Sequence, residues 1–143
     1  MPIESTMFKL LILENDNKLR RKIKAILELR LPFVKITEAS NSEEAFKHIK
    51  QHKPDFILMD ICLKKENGLD LVNKIKYVHP HTVITINSNC DSPEYRAEAV
   101  HKGADYFLSK TTNTIQDLFE LVESIHSERF DNLRKNSSFS SLR

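Results

Sequence analysis

Glycine is nearly missing from this chain: of 143 residues only Gly68 and Gly103 are of that type. No glycine follows the first apolar run, Phe8–Leu13, so the chain lacks the glycine-rich turn that cradles nucleotide or flavin phosphates after a first strand. Cysteine is as scarce, and Cys62 and Cys90 show no metal-ligand spacing. Two free thiols are expected, with a regulatory disulfide as the alternative because both fall near loops at the same end of the fold. An excess of one charge is also missing. Lys and Arg number 22 against 20 Asp and Glu, a net of +2, too small to make nucleic acid the main partner. Lys18, Arg20, Arg21, Lys22 and Lys24 do make the first helix basic, which reads as a solvated face, or alternatively as a docking patch for an acidic partner. No apolar run reaches membrane-spanning length, and Met1-Pro2-Ile3-Glu4-Ser5-Thr6 has no signal-peptide core, so a cytoplasmic protein without membrane contact is expected. The six histidines are scattered, and none is assigned a metal or catalytic role.

What is present suits one globular domain: hydrophobic residues make up 40% and charged residues 29%, and a chain this long buries roughly two thirds of its unfolded surface. Strands and helices alternate throughout. Phe8–Leu13 is a continuous apolar strand of the kind buried on both faces. Leu19, Ile23, Ile26 and Leu27 then recur at helical spacing up to Pro32. Val34–Ala39 is a second strand, and Asn41 or Ser42 caps a helix that buries Ala45, Phe46 and Ile49. Pro54 precedes strand three, Phe56–Met59. Gly68 opens a helix carrying Leu71, Val72 and Ile75. Thr82–Ile86 is strand four. Ser92 and Pro93 start a fourth helix with a thin apolar face (Ala97, Val100), which Gly103 ends. Strand five is Tyr106–Leu108, and the last helix shows the stripe Ile115, Leu118, Phe119, Val122, Ile125.

Five βα units in succession predict an α/β, flavodoxin-like doubly wound fold, a five-stranded parallel sheet in order 2-1-3-4-5 with five helices. Residues 1–6 are expected to be a tail, residues 7–128 the domain, and residues 129–143 a helix extension followed, from about Arg134, by a flexible Ser-rich end. In such a sheet the carboxyl ends of the strands converge on one crevice. Three of those ends carry polar residues suited to chemistry: Glu14-Asn15-Asp16 after strand one, Asp60 after strand three and Lys110 after strand five. A carboxylate at the mouth of a buried strand is poorly placed for packing, although Asp60 also has a plain reading as a strand-end group bonding loop amides.

These pieces together resemble the receiver domain of two-component response regulators, over roughly Met7 to Ile125. The matching segments are the acidic turn after strand one, the loop from Asp60 to Gly68, Ser88-Asn89 after strand four, Gly103-Ala104-Asp105, and Phe107-Leu108-Ser109-Lys110. Both glycines fall where the CheY-like pattern has them. The resemblance implies that Asp60 is the phosphoacceptor, that Lys110 pairs with the phosphoryl group, that Ser88 hydrogen-bonds a phosphoryl oxygen, and that Phe107 is the switch aromatic. It implies Mg2+, held by Glu14, Asn15, Asp60 and the backbone carbonyl of Cys62. It departs from the pattern at Asn15, where a second acid is usual. A unit-charge pair at about 4 Å is worth roughly 4 kcal/mol at an effective dielectric near 20, so this neutral residue is expected to weaken magnesium binding. Asp16 compensates only if the turn shifts. Lys64 and Thr111 stand where proline is common.

Three functional readings follow. The first is a stand-alone receiver that accepts a phosphoryl group on Asp60 and signals through its helix four–strand five–helix five face. Its partners are a sensor histidine kinase or phosphotransfer protein and a downstream target protein. A homodimer is an option, and direct DNA binding is not expected because no helix-turn-helix pattern follows the last helix. The second is a pseudo-receiver, a phosphate-independent interaction module, for which Asn15 speaks. The third is an enzyme on this topology, a flavin binder or aspartate-nucleophile phosphohydrolase. Against it, the glycine-rich cradle is missing and Cys62 stands where such hydrolases place a second acid. No enzymatic turnover is expected beyond self-phosphorylation from a donor and self-dephosphorylation.

Overall fold

The computed structural model describes residues 7–61 and 67–141, with side chains described as far as Asp131. Strands β1 (Phe8–Leu13), β2 (Val34–Ala39), β3 (Phe56–Met59), β4 (Val83–Ser88) and β5 (Tyr106–Ser109) alternate with helices α1 (Asn17–Arg30), α2 (Ser42–His52), α3 (Gly68–Val78), α4 (Pro93–Lys102) and α5 (Ile115–Ser141). All strand pairs are parallel and the sheet order is β2-β1-β3-β4-β5, the arrangement expected of five βα units. Residues up to Asn113 and residues from Thr114 form two compact units.

The central strands are apolar because both faces are covered: every residue of β3 is buried, as is every residue of β1 except Lys9. Side chains alternate across a strand. Leu11 and Leu13 join Ala45 and Ile49 of α2, Val72 and Ile75 of α3 and Ala99 of α4 in one core cluster. Phe8, Leu10 and Ile12 occupy the alternate positions and are equally buried. Each fully buried Leu or Ile contributes about 1.5–3 kcal/mol relative to exposure.

Polar caps fix where the helices begin. Asp16, Asn41, Asn67 and Ser92 accept hydrogen bonds from the backbone N–H groups of Leu19, Glu44, Leu69 and Tyr95, at 3.1, 2.9, 3.0 and 3.2 Å. Gly103, at φ 114°, ends α4 in the left-handed conformation that residues with a Cβ avoid. In the second unit, Thr114 and Asp117 cap α5 reciprocally, and Leu118, Phe119, Val122 and Ile125 form its buried stripe.

Several boundaries differ from expectation. Thr82 precedes β4 and bonds the Pro54 carbonyl at 2.9 Å, while β4 continues to Ser88 because Asn87 and Ser88 pair with Leu108 and Ser109. Asn41, not Ser42, caps α2. Helix α4 buries Ala99, whereas Val100 is 64% exposed and Ala97 is exposed, so its inward face is not the one expected. Helix α5 runs to Ser141 across the segment read as a flexible tail. Serine and asparagine cost only a fraction of a kcal/mol each in a helix already nucleated, roughly 0.5 by propensity. No helix of the described residues is long and apolar enough to cross a membrane.

Candidate functional site

The sheet order reverses direction between β1 and β3, which places the ligand crevice at their carboxyl ends. Leu13 and Met59 are register partners, so the next residues, Glu14 and Asp60, leave the sheet side by side. Their backbones remain tethered: Asp60 N–H donates to Leu13 O at 3.1 Å, and Glu14 N–H to Ala39 O at 3.1 Å. Lys110 follows β5 directly. Its Nζ donates to Asp60 Oδ2 at 2.7 Å and to Glu14 Oε1 at 2.9 Å. The three side chains are only 17%, 12% and 8% exposed for Lys110, Asp60 and Glu14. Burial opposes the charge on Lys110, but the bonds to Asp60 and then Glu14 outweigh it and hold the ammonium pKa above the ordinary lysine value. One ammonium between two carboxylates leaves this trio with a net charge of about −1.

Glu14 is fixed from behind. Its Oε2 accepts from Asp16 N–H at 3.1 Å, and its carbonyl accepts from Arg20 Nη1 at 2.8 Å. Arg20 is buried and also bonds Glu38 at 3.1 Å, with Lys24 3.6 Å from the same carboxylate. The basic face expected on the first helix is therefore partly internal: Arg20 shares the buried stripe of Ile23 and Leu27, a spacing legible in the sequence. Asp16 caps α1 through its carboxylate and is exposed.

Ser88 ends β4 fully buried. Its carbonyl accepts from Lys110 N–H at 2.9 Å and its Oγ from Cys90 N–H at 3.1 Å. Phe107, half-buried against the core cluster, lies under the Arg96 guanidinium, 4.6 Å from its ring centroid. Asn15 is half-buried at the exit of β1. Cys62, expected to offer its carbonyl, and Lys64 lie outside the described residues. Cys90 is exposed and stands outside any disulfide. Asp60, Glu14 and Lys110 are thus in direct contact, with Ser88 joined to Lys110 through the backbone.

Two hydroxyls and a carboxylate beside the site were not anticipated. Ser109 Oγ donates to Asp91 Oδ2 at 2.7 Å, and Thr111 Oγ1 donates to the same oxygen at 3.3 Å. The Ser109 hydroxyl, followed by those of Thr111 and the Arg96 charge, holds the Asp91 carboxyl below the usual range against the effect of desolvation. Thr111, noted only as a departure from proline, supplies one of these hydroxyls. Among the described residues no group of three or more His, Cys, Asp or Glu side chains is placed to hold a metal ion. The donor set is instead two carboxylates with a surplus negative charge. Hard oxygen donors in that number, completed by water, suit Mg2+.

An uncharacterized response regulatory protein of Staphylococcus epidermidis is 31% identical over 133 residues, covering 87% of this chain and 52% of that protein. Transcriptional regulatory protein LnrK of Bacillus subtilis is 28% identical over 121 residues, covering 85% of this chain and 54% of its own length. The chain spans about half the length of the curated relatives it matches. Among solved structures, the receiver domain of the Francisella response regulator 1452 has a TM-score of 0.76 at 26% identity and covers 85% of this chain and 98% of that one. A two-component response regulator from Clostridium difficile has a TM-score of 0.77 at 28% identity, with 83% and 95% covered. The model of the response regulator receiver domain matches residues 10–131, and the chain belongs to that family.

Proposed function

We propose that this receiver accepts a phosphoryl group on Asp60 from a histidine kinase or phosphotransfer protein. One Asp60 carboxylate oxygen attacks the phosphorus of a phosphohistidine. A P–O bond forms, the P–N bond breaks and the imidazole leaves, giving an aspartyl phosphate. Catalysis of such a transfer consists of positioning and charge neutralisation. The observation that carries this reading is the Lys110 ammonium, 2.7 Å from Asp60 and 2.9 Å from Glu14, a half-buried cation already placed beside the nucleophile. On phosphorylation Lys110 turns from the Asp60 carboxylate to a phosphoryl oxygen. Ser88, buried at the end of β4 with its carbonyl accepting from Lys110 N–H, would bond a second phosphoryl oxygen.

Receiver domains generally bind Mg2+ in their acidic pocket, where the ion supplies further positive charge. Here Glu14 and Asp60 would hold it, with Asn15 offering a neutral carbonyl and Cys62 its backbone oxygen. The signal would leave as a changed protein-binding face along α4 and β5, where Phe107 lies under Arg96. A cytoplasmic setting suits such a relay.

Asn15 favours one other reading, a pseudo-receiver that binds its partner without phosphate. Incubation with acetyl phosphate and Mg2+, followed by intact-mass measurement, separates the two. One phosphoryl adduct is expected on the wild type and none on Asp60→Asn. An unmodified wild type at saturating magnesium would leave the interaction module standing.

A further inference from the structure

Asp91, on the loop between β4 and α4, is tied in three directions. Its carboxylate accepts from Ser109 Oγ at 2.7 Å and from Thr111 Oγ1 at 3.3 Å, both at or just beyond the end of β5. Its backbone oxygen accepts from Arg96 Nε at 3.2 Å, and the same guanidinium covers the Phe107 ring. The residue before it, Cys90, donates its N–H to Ser88 Oγ at 3.1 Å. One loop residue thus stands between the Ser88 hydroxyl and the Phe107 ring.

Ser109 is built for this contact. It is almost fully buried and is the register partner of Ser88. Its Oγ accepts from Thr111 N–H at 3.2 Å and from Thr112 N–H at 3.3 Å, lies 2.9 Å from Thr111 Oγ1, and donates to Asp91. A hydroxyl-to-carboxylate bond of this length belongs to the strong, charge-assisted class. Lys110 follows Ser109 in the chain, so movement of its ammonium toward a phosphoryl group acts on the residue that holds Asp91.

We infer that Asp91 is a positioning residue for the phosphoryl site: its bond to Ser109 latches the β4–α4 loop in the unphosphorylated arrangement, and Ser88 reaches a phosphoryl oxygen only as that latch opens. This rests on Asp60 as phosphoacceptor and deepens that reading by naming the contact the phosphoryl group works against. A ligand shifts a two-state element only by its differential affinity for the two states. The latch therefore sets how much of the phosphoryl group's binding is used in moving the loop.

The test uses the full chain carrying Asp91→Ala or Ser109→Ala, with Asp91→Asn retaining an acceptor of the same shape. Without any phosphodonor, amide hydrogen exchange at Asn89, Cys90 and Asp91 should be severalfold faster in both alanine variants and closer to wild type in Asp91→Asn. With Mg2+ and beryllofluoride, the alanine variants should bind severalfold more tightly, and their Phe107 resonances should lie part-way to the bound position before ligand is added. Unchanged exchange, or an unchanged or weaker beryllofluoride affinity beside a wild type that binds it, overturns the latch. A wild type that takes no beryllofluoride overturns the Asp60 reading instead, and the exchange rates then decide the latch by themselves.

Discussion

Lys110→Met is expected to lower stability by about 2–3 kcal/mol at pH 7 without divalent cations, because Glu14 and Asp60 then face each other with no cation between them. Removing one partner of a buried ion pair costs roughly 3–5 kcal/mol, and the site's partial exposure reduces that figure. Methionine keeps most of the lysine stem, so the loss reports charge more than packing. Adding Glu14→Gln or adding Mg2+ should each recover much of the deficit. The folded-state pKa of Lys110 is raised, so its stabilisation is complete below the ordinary lysine value of about 10.4 and is lost as pH climbs through the higher folded value. Urea unfolding at pH 7, with and without Mg2+, measures the deficit, and a wild-type series rising through the lysine range measures the pH dependence. A Lys110→Met protein as stable as wild type in the absence of magnesium would mean that the ammonium is not neutralising the pair. The variant should also form the acetyl phosphate adduct more slowly, with smaller changes at Phe107.

Gly68→Ala is the second large effect. A Cβ at Gly68 would stand 2.5 Å from the carbonyl oxygen and 2.8 Å from the carbonyl carbon of Ile61. These are backbone atoms and cannot swing aside, so the chain itself must move. Overpacking of this kind costs about 1–3 kcal/mol, and the upper end is expected here. Ile61 follows Asp60 directly, so the displacement also reaches the nucleophile, and adduct formation should slow along with the loss of stability. Gly103→Ala is the matched control. Its left-handed φ of 114° makes any Cβ strained, at about 1–2 kcal/mol. It lies at the end of α4, away from Ile61, so stability should fall while the adduct rate holds. Equal slowing in both variants would show that Gly68 acts through general destabilisation.

The sheet was legible because its signal is local. Continuous apolar runs mark β1 and β3, and polar residues close those runs and β5, so the meeting of Asp60, Glu14 and Lys110 was legible from strand ends. Contacts set by tertiary geometry were harder to read. Arg20 reads as one of five basic residues on a helix, yet its place one turn before Ile23 carries it inside to the Glu14 carbonyl. Asp91 and Thr111 lie on loops and Ser109 ends β5, and their pairing depends on the β4–β5 register, which composition does not encode. The inward face of α4 was misassigned because Ala97 and Val100 are more apolar as a pair than Tyr95 and Ala99 suggest, while Tyr95 and Ala99 are the ones that meet the core. The last helix outran its expected end because its serines weaken a helix without stopping it.

The most direct test of Asp60 as phosphoacceptor is to find the phosphoryl group itself. After acetyl phosphate and Mg2+, borohydride reduces an aspartyl phosphate to homoserine, which peptide mass spectrometry reads at a single position. Homoserine at position 60, absent from Asp60→Asn and reduced in Lys110→Met, is the expected result. Phosphorylated protein with no homoserine at position 60, or homoserine at another carboxylate, would contradict it.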